Sequence, residues 1–170
     1  GARSWLQTVR DPDAIEACLA AGIGSDITVN VGGKTDLLHG EPVELTGRIT
    51  RISDGRFEDT GTVHAGWRFF DAGTTVVMEC DQGPTVALVT TRIGNMSREQ
   101  YYSLGYRPDD FEIVVAKGVV SPRPAYQPIA HEMITVNTPG ATSADMSTFD
   151  YKNVRKSLYP LDPEAQYDHE

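Results

Sequence analysis

Residues 112–136 read EIVVAKGVVSPRPAYQPIAHEMITV. Two unbroken apolar runs, EIVVA at 112–116 and MITV at 133–136, flank a stretch rich in proline. Short apolar runs bounded by turn residues are the pattern of strands covered on both faces, and parallel strands joined by a crossover occupy that setting. The stretch therefore predicts a βαβ-like unit whose crossover passes through YQPIAHE. The loop that follows the first run, with Lys117, Ser121 and Arg123, lies where ligands of such sheets collect, at a strand's carboxyl end.

Working back toward the N-terminus, the pattern changes from continuous to alternating. Ile27, Val29 and Val31 alternate with Thr28 and Asn30, and Val43, Leu45, Gly47 and Ile49 alternate with Glu44, Thr46 and Arg48, as half-buried antiparallel strands do. Thr74 to Glu79 and Thr85 to Thr90 form a hairpin around CDQGP. Asp11-Pro12 carries helix-starting chemistry, Ile15, Cys18 and Leu19 share one face, and Gly22 supplies the stop. A second, short helix is expected from Ser97 and Gln100, which form a capping box, to Gly105 as its C-cap. Between Gly61 and Gly73, Trp67, Phe69 and Phe70 sit among glycines without a clean period, an irregular loop packed on the sheet. The fold class is α+β, antiparallel meander strands followed by the βαβ-like unit. One domain is expected over 1–170, its core at about 11–137, with 138–170 as an irregular tail wrapping the surface.

Composition narrows the function classes. Fifteen Lys and Arg stand against 24 Asp and Glu, a formal charge of -9, so nucleic acid and anionic membranes are repelled on average. No run approaches the roughly 20 apolar residues of a membrane span, and the first residues do not show the basic, then apolar, then small-residue pattern expected of a signal sequence. Cys18 and Cys80 lack the spacing of zinc ribbons or redox pairs and read as buried free thiols, which favours a reducing, cytoplasmic setting.

Several motifs fail on inspection. Gly33-Lys34-Thr35 looks like the end of a phosphate loop, but the first glycine of that motif would stand at Thr28, and Gly40 and Pro42 follow too soon for a supporting helix. Gly32-Gly33 is better read as a turn closing a strand, where glycine tolerates positive φ. Lys34, Thr35 and Asp36 then project from the turn toward a neighbour. His131-Glu132 lacks the second histidine of a zinc-protease helix, since position 135 is Thr135, and His39, His64 and His169 are scattered. No G-x-S-x-G elbow occurs, and neither cysteine has a base signalled nearby. The best local candidate is Arg123, a planar guanidinium between Pro122 and Pro124 able to clamp a carboxylate bidentately; the alternative is that it caps carbonyls or pairs with a surface acid.

Five blocks in order, DPDAIEACLAAGIGS, VGGKTDLLHGEPVELTGRITRISDGRF, VALVTTRIGNMSREQYYSLGYRPDDFEIVVAKG, SPRPAYQPIA and YPLDPE, resemble the C-terminal domain of the MlrC-like metallopeptidases, the family of microcystin-degrading microcystinase C. The resemblance runs from about Asp11 to Glu164. It implies a piece of a zinc-dependent peptidase or amidohydrolase, inactive alone, with no cofactor in this chain and zinc held by an N-terminal metallopeptidase domain on which this one packs. It further implies a peptide or small amide substrate, oriented by Arg123, Ser121 and Lys117, with Arg92 and Asn95 lining the same mouth or the domain interface, and Lys34, Thr35 and Asp36 at that interface. The chain departs from the family pattern at Ile93, where many relatives have a second basic residue, and at Ser121-Pro122, where many have His-Phe. The second expectation, from a different class, is a non-catalytic binding or homo-oligomerisation module using the aromatics between Gly61 and Gly73 as a contact patch.

Overall fold

The structure, a computed structural model, describes residues 1–37, 39–61, 66–138, 143, 145–155 and 157–166. His64 and His169, part of the loop between Gly61 and Gly73, and parts of the tail lie outside the described residues. The chain divides into two compact units, Gly1–Ile134 and Thr135–Glu170.

The first unit is built on a six-stranded mixed sheet, consistent with the α+β class. Its strands are β1 (Ser4–Arg10), β2 (Asp26–Val31), β3 (Val43–Ser53), β6 (Thr75–Cys80), β7 (Thr85–Val89) and β8 (Ile113–Ala116), in the order β2-β3-β6-β7-β1-β8. Strands β4 (Arg56–Glu58) and β5 (Phe69–Asp71) form a separate two-stranded sheet between β3 and β6. The meander β2-β3-β6-β7 is antiparallel throughout, while β1 runs parallel to both β7 and β8.

Both faces of the central strands are covered, and the period-2 alternation sorts their side chains between two clusters. Val76, Met78, Val86 and Leu88 join Ile49 and residues Ala14, Ile15 and Cys18 of helix α1 (Pro12–Ala21) on one side. Val77 and Ala87 face Trp5, Tyr101, Leu104, Ala125 and Tyr126 on the other. Trp5 anchors that second cluster, its ring 4.8 Å from Tyr101, 5.0 Å from Tyr106 and 5.3 Å from Phe111. Each such buried side chain contributes roughly 1.5–3 kcal/mol by leaving water.

Helix α1 begins and ends as its sequence dictates: the Asp11 carboxylate accepts from the Ala14 N–H, and Gly22, at φ 84°, donates its own N–H to Cys18. Leu19 is 46% exposed, so the buried face is Ala14, Ile15 and Cys18. Helix α2 (Glu99–Tyr102) is a single turn, with the Ser97 hydroxyl accepting from the Glu99 N–H, and helix α3 (Arg123–Tyr126) is another.

Two expectations for residues 112–136 change. The parallel crossover exists, but it joins β7 to β8 through α2, with β1 between them. MITV at 133–136 belongs to no strand. Met133 is partly buried against the Trp5 cluster, whereas Ile134 is 77% exposed. Strand β8 is consequently an edge: Val114 and Ala116 face the Trp5 cluster, and Ile113 and Val115 stay about half exposed. An apolar run cannot distinguish a strand buried on both faces from an edge strand with one uncovered face.

The second unit has a 3-10 turn at Met146–Thr148 as its regular element among the described residues. Asp145 starts it, accepting from the Ser147 N–H at 3.1 Å and the Ser147 hydroxyl at 2.6 Å, and these bonds hold its carboxyl below the usual range.

Candidate functional site

Strands β7, β1 and β8 all run toward one end of the sheet, where Arg10 pairs with Val89 and Gln7 with Ala116. Strand β6 starts and β3 ends at the same end, since Thr75 pairs with both Val89 and Ser53. The β4-β5 hairpin therefore emerges there too, as does α1, whose cap Asp11 donates its N–H to the Val89 carbonyl at 3.1 Å. Crevices outside carboxyl ends are where sheets of this kind bind ligands.

Beneath this end lies a buried polar network. Asn95, 2% exposed, donates to the Gln7 and Lys117 carbonyls, both at 3.1 Å, and accepts from the Thr8 hydroxyl at 3.2 Å. One amide thus ties β1 to the loops leaving β7 and β8. Fully buried Gln7 donates through Nε2 to the Gln100 side chain, while its Oε1 accepts from the Tyr126 hydroxyl at 3.2 Å. That hydroxyl also lies 3.3 Å from the Ser97 carbonyl. Burial pushes the Tyr126 and Tyr101 phenols above their usual range, so the network is neutral and rigid rather than a proton donor. The Ser97 hydroxyl donates to Asp59 at 2.5 Å and fastens the loop end of the β4-β5 hairpin to the loop before α2. The Tyr101 hydroxyl is buried without a partner; the other members are paired, and such pairing fixes geometry, because leaving a member unpaired in the interior costs about 1–3 kcal/mol.

Above it the outward side chains are cationic. Arg92, Lys117 and Arg123 are exposed and Ser121 is half-buried. Among the described residues none of the three cations has an ion pair or a side-chain hydrogen bond. Cations elsewhere on the sheet do, for example Arg48 with Asp26 at 2.8 Å and Arg56 with Asp71 at 3.1 Å. The surface-pairing alternative for Arg123 therefore has no acid to supply it among the described residues.

The glycine turn meets the same end of the sheet. Gly32 and Gly33 have φ of 72° and 60°, and a Cβ at Gly33 would lie 2.3 Å from backbone atoms of Glu41 and Pro42, so conformation and space both require glycine there. Lys34 does not project: its ammonium turns back to lie 2.8 Å from both Asp11 carboxylate oxygens and 2.7 Å from the Asn30 carbonyl. The Gly32 N–H adds a further bond to Asp11 at 2.9 Å. Burial works to raise the Asp11 pKa, but Lys34 and the Ala14 and Gly32 N–H groups outweigh it and hold the carboxyl below its ordinary value. Thr35 is exposed, and Asp36 is half-buried and bonded to His39 at 2.8 Å.

Neither cysteine is poised as a nucleophile. Cys18 is fully buried and Cys80 half-buried, both free; burial raises both thiols, Cys80 to about 11. Among the described residues no three His, Cys, Asp or Glu side chains come together as metal ligands, so those residues do not fit a zinc centre. No helix among them is long and apolar enough to cross a membrane.

Of the residues singled out by sequence, Arg92, Asn95, Lys117, Ser121 and Arg123 thus stand on the loops that leave β7 and β8 at one end of the sheet, with Asn95 beneath the mouth rather than on it, and Lys34 is tied to that end through Asp11, whereas Asp36 bonds His39 within its own turn. Sequence reasoning misses Gln7, Thr8, Tyr126 and the Asp11–Lys34 pairing, and it has Ser97 and Gln100 as a capping box, whereas Arg98 stands at the cap of α2 and the Gln100 side chain bonds Gln7 instead. For Gln7 and Thr8 the available signal was two polar residues in succession within an otherwise strand-like heptad, SWLQTVR.

The family described as MlrC C-terminus matches residues 2–153. Among solved structures, a candidate metallopeptidase from Mesorhizobium sp. BNC1 superposes with a TM-score of 0.82 at 27% identity, over 98% of this chain and 33% of that one. The chain thus spans about a third of the length of that protein. No curated protein matches it.

Proposed function

The chain belongs to the MlrC C-terminal family, and from that premise we propose that it is the C-terminal domain of a zinc-dependent peptidase or amidohydrolase. In this reading it packs on a separate catalytic domain and forms one wall of the substrate cleft. The observation that carries the proposal is the set of three unpaired cations, Arg92, Lys117 and Arg123, on the loops that leave the carboxyl ends of the parallel strands β7 and β8 in a chain of net charge -9. A local positive field on an otherwise acidic surface attracts and orients anionic groups.

The chemistry assigned to each group follows from its shape. Arg123 opens α3 between Pro122, which is buried, and Pro124. Its guanidinium offers paired donors to a substrate carboxylate or carbonyl, and Lys117 adds a compact charge from the end of β8. Ser121 supplies a hydroxyl from the same loop, and Asn95 acts as a positioning residue, holding the Lys117 carbonyl and so the loop that carries all three. Zinc bound by the catalytic domain would supply a Lewis acid and an activated water. This chain's part is to bind and orient a peptide or small amide. Thr35, Asp36 and the exposed part of Lys34, with the uncovered Ile113 and Val115 of β8, are the surfaces assigned to the catalytic domain.

The test is made in the longer protein, with a carboxylate-bearing peptide and its amide-capped analogue. Arg123→Ala should lower kcat/KM for the free carboxylate by roughly 10- to 100-fold, the equivalent of one lost charge-assisted bond, and leave the capped analogue nearly unchanged. Equal losses on both peptides, or none, would rule out carboxylate recognition by Arg123.

A further inference from the structure

The β4-β5 hairpin carries a surface that the peptidase reading does not use. Its strands pair Arg56 with Asp71, Phe57 with Phe70 and Glu58 with Phe69. Alternation turns Phe57 and Phe70 to one face, where their rings stack at 4.8 Å, and leaves Arg56, Glu58, Phe69 and Asp71 on the other. Phe69 is 70% exposed on that outer face, opposite Glu58. Arg68 pairs with Glu58 and lies 5.3 Å over the Phe69 ring, while Arg56 pairs with Asp71. Trp67, 60% exposed, stacks on Phe70 at 5.6 Å and so belongs to the opposite face, with Phe57. An exposed aromatic anchor ringed by Arg and acidic side chains has the composition of an interface centre with its polar rim.

We infer that this outer face docks on the same face of a second copy of the chain, about a two-fold axis. Two properties select a second copy as the occupant. First, the face is its own charge complement, with Arg56 and Arg68 balanced by Glu58 and Asp71, so a two-fold operation can set each cation opposite an anion. The chain as a whole is at -9, and copies repel one another except where the local charge is balanced. Second, the two-stranded sheet has no third strand among the described residues and is covered on one face only, Phe70 being 7% exposed and Phe69 70%, and a two-stranded hairpin gains stability when its open face is covered. Two three-residue strands meeting their own copies satisfy that need without an unrelated partner.

The inference is independent of the peptidase reading and is tested on the 170-residue chain by sedimentation velocity across a concentration series. A contact of this small size should give a dimer with Kd on the order of micromolar. Phe69→Ser, at an exposed position that the fold does not need, should weaken it at least tenfold. The decisive arm uses two charge variants, Arg56→Glu/Arg68→Glu and Glu58→Lys/Asp71→Lys, with circular dichroism to show that each is folded. Each alone should sediment as a monomer, and an equimolar mixture should form the heterodimer. A wild-type chain that stays monomeric at hundreds of micromolar, or a dimer indifferent to Phe69→Ser, would overturn the inference. So would folded charge variants that fail to associate when mixed.

Discussion

Two sets of polar side chains share one end of the sheet and differ in what they are bonded to. Asp11, Lys34, Gln7, Thr8 and Asn95 are saturated by partners within the chain. Arg92, Lys117 and Arg123, a few residues away in sequence from some of these, have no such partners among the described residues. A saturated group contributes to stability and has little left to offer a ligand. An unsaturated, exposed cation contributes little to stability and keeps its donors for a ligand. The first set should therefore report in unfolding experiments and the second in binding or turnover, and substitutions can break that separation.

The largest effect is expected at Asn95. Asn95→Ala removes three hydrogen bonds and leaves the Thr8 hydroxyl and two carbonyls short of partners in the interior, which should cost about 3 kcal/mol in urea unfolding. Because the same amide holds the loop that starts at Lys117, binding at the mouth should fall as well. Unchanged stability would show that the network is dispensable and that Asn95 belongs with the outward set.

Asp11 comes next. Asp11→Ala loses the α1 cap and strands Lys34, a loss of about 2 kcal/mol. The sign of the pH dependence follows from the lowered carboxyl. Its folded pKa lies below the unfolded value near 4, so its contribution is fully present above that value and disappears as pH falls through the folded pKa. In Asp11→Ala the part of the acid destabilisation that belongs to this carboxyl should vanish, and the variant should approach the wild type in stability at low pH. Parallel stability curves down to pH 2 would contradict the assignment.

How much of this was legible differs residue by residue. The cap and stop of α1 are local chemistry, so Asp11, Pro12 and Gly22 announced the helix, and Gly32-Gly33 announced a turn with positive φ. The meander showed in the alternation of β2 and β3. Strand β1 did not show, because the bulge between Gln7 and Val9 breaks its period and its buried polar residues are acceptable only beside partners some 90 residues away, Asn95 and Gln100. MITV misled for the converse reason: apolar content alone cannot supply a pairing strand. The turn's sequence alone has Lys34 projecting, because nothing in it reveals that a buried carboxylate 23 residues earlier lies within its reach.

The smallest effects are expected from the outward cations, and they test the separation most directly. Arg92→Ala and Arg123→Ala should each change unfolding free energy by less than about 0.5 kcal/mol, as exposed, unpaired positions do. Lys34→Ala, at a cation that is also largely at the surface, should cost about 1 kcal/mol, since it leaves a buried carboxylate with only its two N–H partners. Three alanine variants measured by the same urea titration thus place three cations of one sheet end in two classes. If Arg123→Ala destabilises as much as Lys34→Ala, then Arg123 is held by the fold after all, and its guanidinium is not free to meet a substrate. If both arginine variants leave the midpoint where it was, any loss they cause in the longer protein's turnover is assigned to the ligand and not to the scaffold.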